Sequence, residues 1–433
     1  MGEGAVEKRY ELDRYAAVYA MRTGSMVSSE VRDLLSVTER PDIISLAGGL
    51  PYTKIMDGEM IARLFAEVMR EEGAEALQYG TTDGLVRLKE ELARVMAAEG
   101  LEVHPEEVVI THGSQQGLEL LSKIFINPGD LILTEAPSYV GALTSFVSYQ
   151  PRMEGIALDD QGLDTDALRR RLESLAVAGE RPKFLYIIPN FQNPAGVTMS
   201  GERRKALLEL IREHELLLIE DNPYGLLRFE GEMLPPLKSF EPDSVVYLGT
   251  LSKILSAGMR LGWFVAPAPI TEKLLLAKQS ADLCTSSLTQ RLAQVYFATQ
   301  DWRGVIGKLV EIYRCRRNTM LAALEEFFPE GTSWTHPEGG FFVWAKLPEY
   351  VNTKDMLATA IDQKVAYVPG MAFFPDRSGA NYMRLNFSYP PEEQIWEGVR
   401  RLSLVIKREL KLARSLGLAG PQTPPAEAER TEE

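Results

Sequence analysis

The chain has 433 residues, 45% of them hydrophobic and 25% charged. That is the composition of a folded globular protein with ample apolar material for a large core, and it excludes disorder as the main state. The 61 acidic side chains outnumber the 47 basic ones and leave a formal net charge of −14, which speaks against nucleic acid as a partner because phosphate backbones demand a basic face. The two cysteines, Cys284 and Cys315, cannot build a disulfide scaffold and suit a reducing compartment. The opening MGEGAVEKRYELDRY has no apolar stretch and no small-residue cleavage site, so it does not read as a signal peptide. No apolar run approaches the ~20 residues of a membrane helix, so a cytoplasmic protein without membrane contact is expected. His104, His112, His214 and His336 are not in metal-ligand spacing and no CxxC pair exists, so no metal is expected.

In chain order, residues 1–52 read as an N-terminal segment that joins a small domain formed by the C-terminal part. From 53 to 310 two textures alternate. Short β-branched apolar runs are VVIT (108–111), LILTEA (131–136), FLYIIP (184–189), LLLIED (216–221), VVYLGT (245–250) and WFVAP (263–267). Between them come stretches with helical spacing, such as 84–100 and 202–215. Alternating strands and helices, with strands apolar throughout, predict an α/β domain with a parallel or mixed sheet covered by helices on both faces. Residues 311–415 change texture: an arginine-rich helix, then GGFFVWAKLP, a helix, VAYVPG, MRLNFS and a final helix, a smaller α+β domain. The Pro-rich, acidic 416–433 predicts a disordered tail.

Four strand ends carry candidate chemistry. THGSQQGLELLSKIF (111–125) passes from strand through a glycine loop into a helix. Free N–H groups at such a helix start suit a phosphate, with Ser114 and Gln115 as side-chain donors; the bland alternative is an ordinary capped turn. It is neither GxGxxG nor a Walker A loop, so dinucleotides and ATP have no support. In LLLIEDNPYG (216–225) Asp221 ends a buried run, where a carboxylate is costly unless paired. A turn cap, a metal ligand, or a partner for a protonated ring nitrogen would each explain it, and Tyr224 can reach the same ligand. In IIPNFQNPAGVTMS (187–200) Asn193 either belongs to a plain turn or points its amide at that ligand. In GTLSKILSAGMRLGW (249–263) Lys253 stands just beyond a buried strand; a desolvated lysine loses proton affinity and attacks carbonyls. Ser252 and Arg260 add phosphate donors.

All four loops follow predicted parallel strands and should project from one sheet edge, where α/β folds bind ligands. Their common ligand needs a phosphate, a group that reacts with lysine and a basic ring nitrogen, and pyridoxal 5′-phosphate meets all three demands.

With SLAGGLP, LQYGTTDG, GSQQGL, PSYVG, PNFQNPAG, DNPYG, SKILSAGMRLGW and MRLNFS in this order over nearly all of residues 20–410, the chain resembles the fold-type I, pyridoxal-phosphate-dependent class I/II aminotransferases. The wording is most similar to the 2-aminoadipate and kynurenine aminotransferase II branch, and the resemblance implies a mostly parallel, seven-stranded-type sheet sandwiched by helices in the large domain. MocR-type regulators share such a catalytic domain but carry an N-terminal winged-helix domain that residues 1–50 are not expected to form, so DNA binding is not expected. The resemblance implies that Lys253 holds the cofactor covalently and moves the substrate proton, that Asp221 pairs with the pyridinium nitrogen, and that Asn193 and Tyr224 bond the phenolic oxygen. It further implies that Tyr139 stacks on the ring and that Ser114, Gln115, Ser252 and Arg260 hold the phosphate. Arg384 would grip the substrate α-carboxylate, Gly48 would let the backbone approach the substrate, and Tyr79 would reach in from the other subunit of a homodimer with shared sites. Arg32 is either a reader of a distal carboxylate or a surface arginine. After Gly49, LPYTKIMD departs from the branch's proline-rich pattern at a place that borders the pocket.

The function so implied is a ping-pong amino transfer from an L-amino acid of 2-aminoadipate, aromatic, branched-chain or glutamate type to a 2-oxo acid, in the first place 2-oxoglutarate. The same residues can also serve a β-lyase, a decarboxylase or a racemase, or a non-catalytic regulatory module that binds the cofactor.

Overall fold

The computed structural model describes residues 13–26 and 40–418. Arg32 and the expected tail from 419 onward lie outside the described residues. Strands in chain order are β1 (Ile44–Ser45), β2 (Val108–Thr111), β3 (Leu131–Ala136), β4 (Arg152–Asp159), β5 (Gly162–Leu163), β6 (Leu185–Ile187), β7 (Leu218–Asp221), β8 (Val245–Thr250) and β9 (Gly262–Val265). β2 to β9 form one sheet in the order β2-β9-β8-β7-β6-β3-β4-β5.

From β8 through β7, β6 and β3 to β4 every pairing is parallel. β9 is antiparallel to both its neighbours, so β2 and β8 point the same way. The connection from β8 to β9 contains no helix, and without such a crossover the chain returns antiparallel. The sheet has eight strands rather than seven, because the two-residue β5 folds back on β4.

The uniformly apolar strands are buried on both faces. Tyr186, Ile219, Val246 and Phe264 pack against Leu118 and Leu121 of helix Ser114–Phe125, Phe146 of Val140–Val147, and Leu274 of Ala268–Asp282. Their neighbours in sequence, Leu185, Leu218 and Val245, pack on the opposite face against Leu168 and Leu172 of helix Thr165–Val177 and Leu207 and Ile211 of Gly201–His214. The alternation of the strand thus serves two helix layers.

The later strands are β10 (Ser333–Trp334), β11 (Phe342–Lys346), β12 (Val365–Ala366), β13 (Val368–Pro369) and β14 (Tyr382–Asn386). β10-β11-β14-β13 make a four-stranded antiparallel sheet. β1 pairs in parallel with β12, Ile44 opposite Val365, and this ties the N-terminal segment to the C-terminal part. Helix Glu392–Ser415 buries Ile395, Val399, Leu402 and Ile406, a spacing of one helical face. Helix Trp302–Phe327 runs unbroken across position 310/311, where the sequence suggests a boundary. No helix among the described residues is long and apolar enough to cross a membrane.

Candidate active site

The C-terminal ends of β2, β6, β7 and β8 border one cavity of about 570 Å³, into which Arg384 of β14 also faces. Ser114, Gln115, Tyr139, Asn193, Asp221 and Tyr224 line it, together with Ser252, Lys253, Arg260 and Arg384. Strands of one direction, far apart in sequence, have brought these side chains to one edge.

Asp221 is the last residue of β7 and is almost wholly buried. Its Oδ2 accepts a hydrogen bond from the Tyr186 hydroxyl at 2.8 Å. Its Oδ1, also buried, has no hydrogen-bond partner. Burial pushes this carboxyl up to about 7, against the Tyr186 hydrogen bond and the charge of Lys253. A buried carboxylate oxygen without a donor is costly, and a cationic ring N–H is the group that relieves it. The pyridinium of pyridoxal 5′-phosphate fits this position.

Lys253 donates from Nζ to the Gly49 carbonyl at 2.9 Å. Burial brings its amine down to about 8, helped by Arg384 and Arg260 and opposed by Asp221. A useful share of the amine is therefore neutral, and nucleophilic, near neutral pH. Gly49 lines the cavity, whereas Gly48 does not. A Cβ on Gly49 would come within 3.1 Å of the Phe342 ring, while one on Gly48 would meet nothing nearer than Leu50 at 3.7 Å. At the cavity wall stands Gly49, next in sequence to the Gly48 at which a close approach to substrate is expected.

The start of helix Ser114–Phe125 faces Arg260 and Ser252. Gly113, its N-cap, has φ +74°, and a Cβ there would fall 2.8 Å from Arg260 Nη2; only glycine permits this turn under the guanidinium. Arg260 donates from Nη1 to the Ala257 carbonyl at 3.2 Å. Thr250 Oγ1 donates to Ser252 Oγ at 3.0 Å. Helix N–H groups, a hydroxyl and a guanidinium converge on one place, a cup for a phosphate. The side chain of Gln115 is otherwise engaged: its Nε2 donates to the Gly141 carbonyl at 2.9 Å and to Ser145 Oγ at 2.7 Å. The side-chain donor that the sequence suggests for the phosphate is therefore directed at helix Val140–Val147.

Arg384 is buried, which brings its guanidinium down to about 10 against the influence of Tyr224 and Tyr139. Nη1 donates to Asn193 Oδ1 at 2.9 Å and Nη2 to the Ala47 carbonyl at 2.8 Å. The Phe342 ring lies below it at 4.1 Å. Tyr224 packs its ring against Phe341 at 5.2 Å, and burial raises its hydroxyl well above the ordinary range. Tyr79 is 77% exposed and does not line the cavity.

Two residues escape the sequence reading. Tyr186 is the one polar-tipped residue in FLYII, and a buried tyrosine hydroxyl needs a partner. Glu135 ends LILTE inside the sheet, the same signal that singles out Asp221. It accepts from the Ile188 N–H and from Gln192 Nε2, both at 3.0 Å, and Gln192 Oε1 accepts from the Ala195 N–H at 2.9 Å. This network shapes the loop that presents Asn193. Burial raises Glu135 from 4.5 to about 8. A carboxyl raised on folding adds stability below its unfolded value and loses it as pH climbs through the folded one. Glu135→Gln keeps an acceptor oxygen and removes this titration, so the stability difference is expected to shift toward the variant by up to about 1.4 kcal/mol per pH unit between 4.5 and 8. Denaturant midpoints across that range measure it; parallel pH profiles for the two proteins would contradict it.

Residues 42–402 match the family profile described as aminotransferase class I and II. The chain is 47% identical over 399 residues to aromatic-amino-acid aminotransferase 1 of Thermococcus litoralis, covering 92% of this chain and 96% of that one. The crystal structure of a Pyrococcus horikoshii kynurenine aminotransferase, in complex with PMP, substrates and products, superposes with a TM-score of 0.88 at 44% identity, covering 92% of this chain and 99% of that one. The alpha-aminoadipate aminotransferase LysN of Thermus thermophilus, complexed with N-(5′-phosphopyridoxyl)-L-leucine, gives 0.85 at 37% identity, covering 92% and 99%. With the lysine, the orphaned carboxylate and the phosphate cup in one cavity, the chain belongs to the class I and II aminotransferases and is a pyridoxal-phosphate-dependent transaminase.

Proposed function

We propose that this transaminase takes its amino group from an aromatic or 2-aminoadipate-type L-amino acid and gives it to a 2-oxo acid, 2-oxoglutarate first among them, in two half-reactions at the same site. The observation that carries the amino transfer is the meeting of Lys253, the unpartnered Asp221 Oδ1 and the Arg384 guanidinium in one cavity, and the donor class is supported by the similarity to aromatic-amino-acid and 2-aminoadipate aminotransferases. Bound pyridoxal 5′-phosphate supplies an aldehyde that bonds amines and a ring that accepts the electron pair left when Cα loses its proton.

The chain's own residues do the rest. Lys253 would hold the aldehyde at rest and, with its amine free, would take the proton from the substrate Cα and deliver it to the cofactor carbon on the far side of the imine nitrogen. Asp221 keeps the proton on the ring nitrogen. The cup of Ser114, Gln115, Ser252 and Arg260 holds the phosphate, and Tyr139 covers the ring. Asn193 and Tyr224 address the phenolic oxygen. Arg384 offers a planar fork that suits the α-carboxylate in two-point contact, with Asn193 and Ala47 fixing its plane. Gly49, beside Gly48, gives the substrate room.

The active form in this reading is a homodimer in which Tyr79 completes the site of the other subunit. Tyr79, Leu77 and Leu283 are 77%, 71% and 55% exposed on the single chain, and apolar side chains so exposed favour burial against a second copy. We place residues 53–310 in the cofactor-binding domain and 1–52 with 311–415 in the small one. Cys284 and Cys315, both unpaired, suit the cytoplasm. Arg32 is proposed as the reader of a distal carboxylate.

The test is incubation of the holoenzyme with one amino acid and no acceptor. Conversion of the cofactor to its amine form, matched one to one by keto acid, is expected. Release of ammonia or CO2 would assign a lyase or a decarboxylase instead. In a donor panel, Arg32→Ala should weaken acidic donors selectively; equal loss for neutral ones would remove Arg32 from the site.

A further inference from the structure

A cluster of polar side chains behind the phosphate cup has no part in the chemistry above. Asp282 closes helix Ala268–Asp282, and Lys278, wholly buried one turn earlier, donates to its Oδ1 at 2.9 Å and its Oδ2 at 3.0 Å. Oδ2 also receives Gln116 Nε2 at 2.7 Å and bonds His112 Nδ1 at 2.9 Å. Burial pushes Asp282 up, and the donations from Gln116, Lys278 and His112 outweigh it and hold the carboxyl below its usual range. An ionised carboxylate only accepts, so Nδ1 is the protonated nitrogen of His112.

None of these four side chains lines the cavity, yet two of them flank the cup. The His112 N–H donates to Gln116 Oε1 at 2.9 Å, and the His112 carbonyl accepts from Arg260 Nη2 at 3.5 Å. Gly113, Ser114 and Gln115 lie between them. β2, which leads into this turn, is an edge strand with one neighbour, β9. A turn at a sheet edge that must aim several N–H groups at one anion needs a tie from outside the sheet, and helix Ala268–Asp282 supplies it.

We propose that Asp282 is a positioning residue for the cofactor phosphate: through His112 and Gln116 it braces the 112–116 turn and the Arg260 guanidinium, and Lys278 sustains its charge. This rests on the reading of the turn as a phosphate cup. The brace acts on the phosphate end and not on the ring.

Equilibrium binding of pyridoxamine 5′-phosphate and of pyridoxamine to the apoprotein separates the two ends. His112→Ala and Gln116→Ala leave the Lys278–Asp282 pair intact. Each removes a hydrogen bond to a charged group and is expected to weaken the phosphorylated ligand roughly tenfold, with pyridoxamine unchanged. His112→Asn, whose side-chain amide can donate from the place of Nδ1, should restore most of the loss. Equal weakening of both ligands, or no weakening, would overturn the brace. Arg260→Ala serves as the control: it must reduce the preference for the phosphorylated ligand. If it does and the brace variants do not, the brace alone falls; if Arg260→Ala also leaves the preference intact, the cup reading falls with it.

Discussion

Exchange of Lys253 for alanine is expected to lower the rate of transamination on the order of 10⁴-fold, the upper end of what a positioned acid–base group contributes, and to remove the visible absorbance of the lysine-bound cofactor. The argument is local. Lys253 Nζ hangs on a single carbonyl, Gly49 O, and burial with two guanidinium neighbours holds its amine down to about 8. A lysine at its ordinary, solvent-exposed value stays charged at neutral pH and bonds an aldehyde or accepts a proton far less readily. The variant keeps the cup and Asp221, so its apoprotein should bind pyridoxamine 5′-phosphate with nearly the parent affinity. The space vacated by the side chain should let added methylamine recover part of the proton transfer. Single-turnover kinetics with and without the amine measure both effects. Turnover near the parent value in the variant would exclude Lys253 as the reacting amine.

Asp221→Asn is expected to lower kcat by roughly 10³-fold with little change in KM, the size of effect seen when one preorganised electrostatic partner of a reacting group is lost. Asparagine keeps the shape and can still accept the Tyr186 hydroxyl, but it presents no charge to a cationic ring nitrogen. In the parent, Oδ1 is buried and without a donor, and burial has already raised the carboxyl to about 7. A carboxylate that is costly to hold ionised alone gains most from a cation placed beside it. A second readout separates this from damage to the fold. A cofactor analogue with C–H in place of the ring nitrogen should bind the parent more weakly than pyridoxamine 5′-phosphate and bind the variant no differently from it. A variant that turns over normally, or that still discriminates between the two, would end the pairing of Asp221 with the ring.

The sequence by itself determined the alternation of buried strands and helices, and with it the layers of the large sheet. It also determined which strand ends carry polar groups. Both are local properties: a run apolar throughout must be covered on both faces, and parallel neighbours bring their C-terminal ends to one edge. Asp221, Lys253, Asn193, Ser114 and Arg260 were legible for that reason, and the order of motifs added Arg384. Only the tertiary structure decided what depends on contacts between distant segments. Arg384 meets Asn193 across 191 residues because the second sheet docks on the first. Tyr186 reaches Asp221 and Glu135 reaches Gln192 because β3, β6 and β7 are neighbours in space. The close approach at Gly49 follows from the position of Phe342, and the diversion of the Gln115 amide follows from Gly141 and Ser145. Asp282 lies 170 residues from His112, and no periodicity along the chain encodes that meeting. Periodic burial is set by neighbours in sequence, whereas a hydrogen-bond partner is set by sheet order and packing, which become defined only when the layers close.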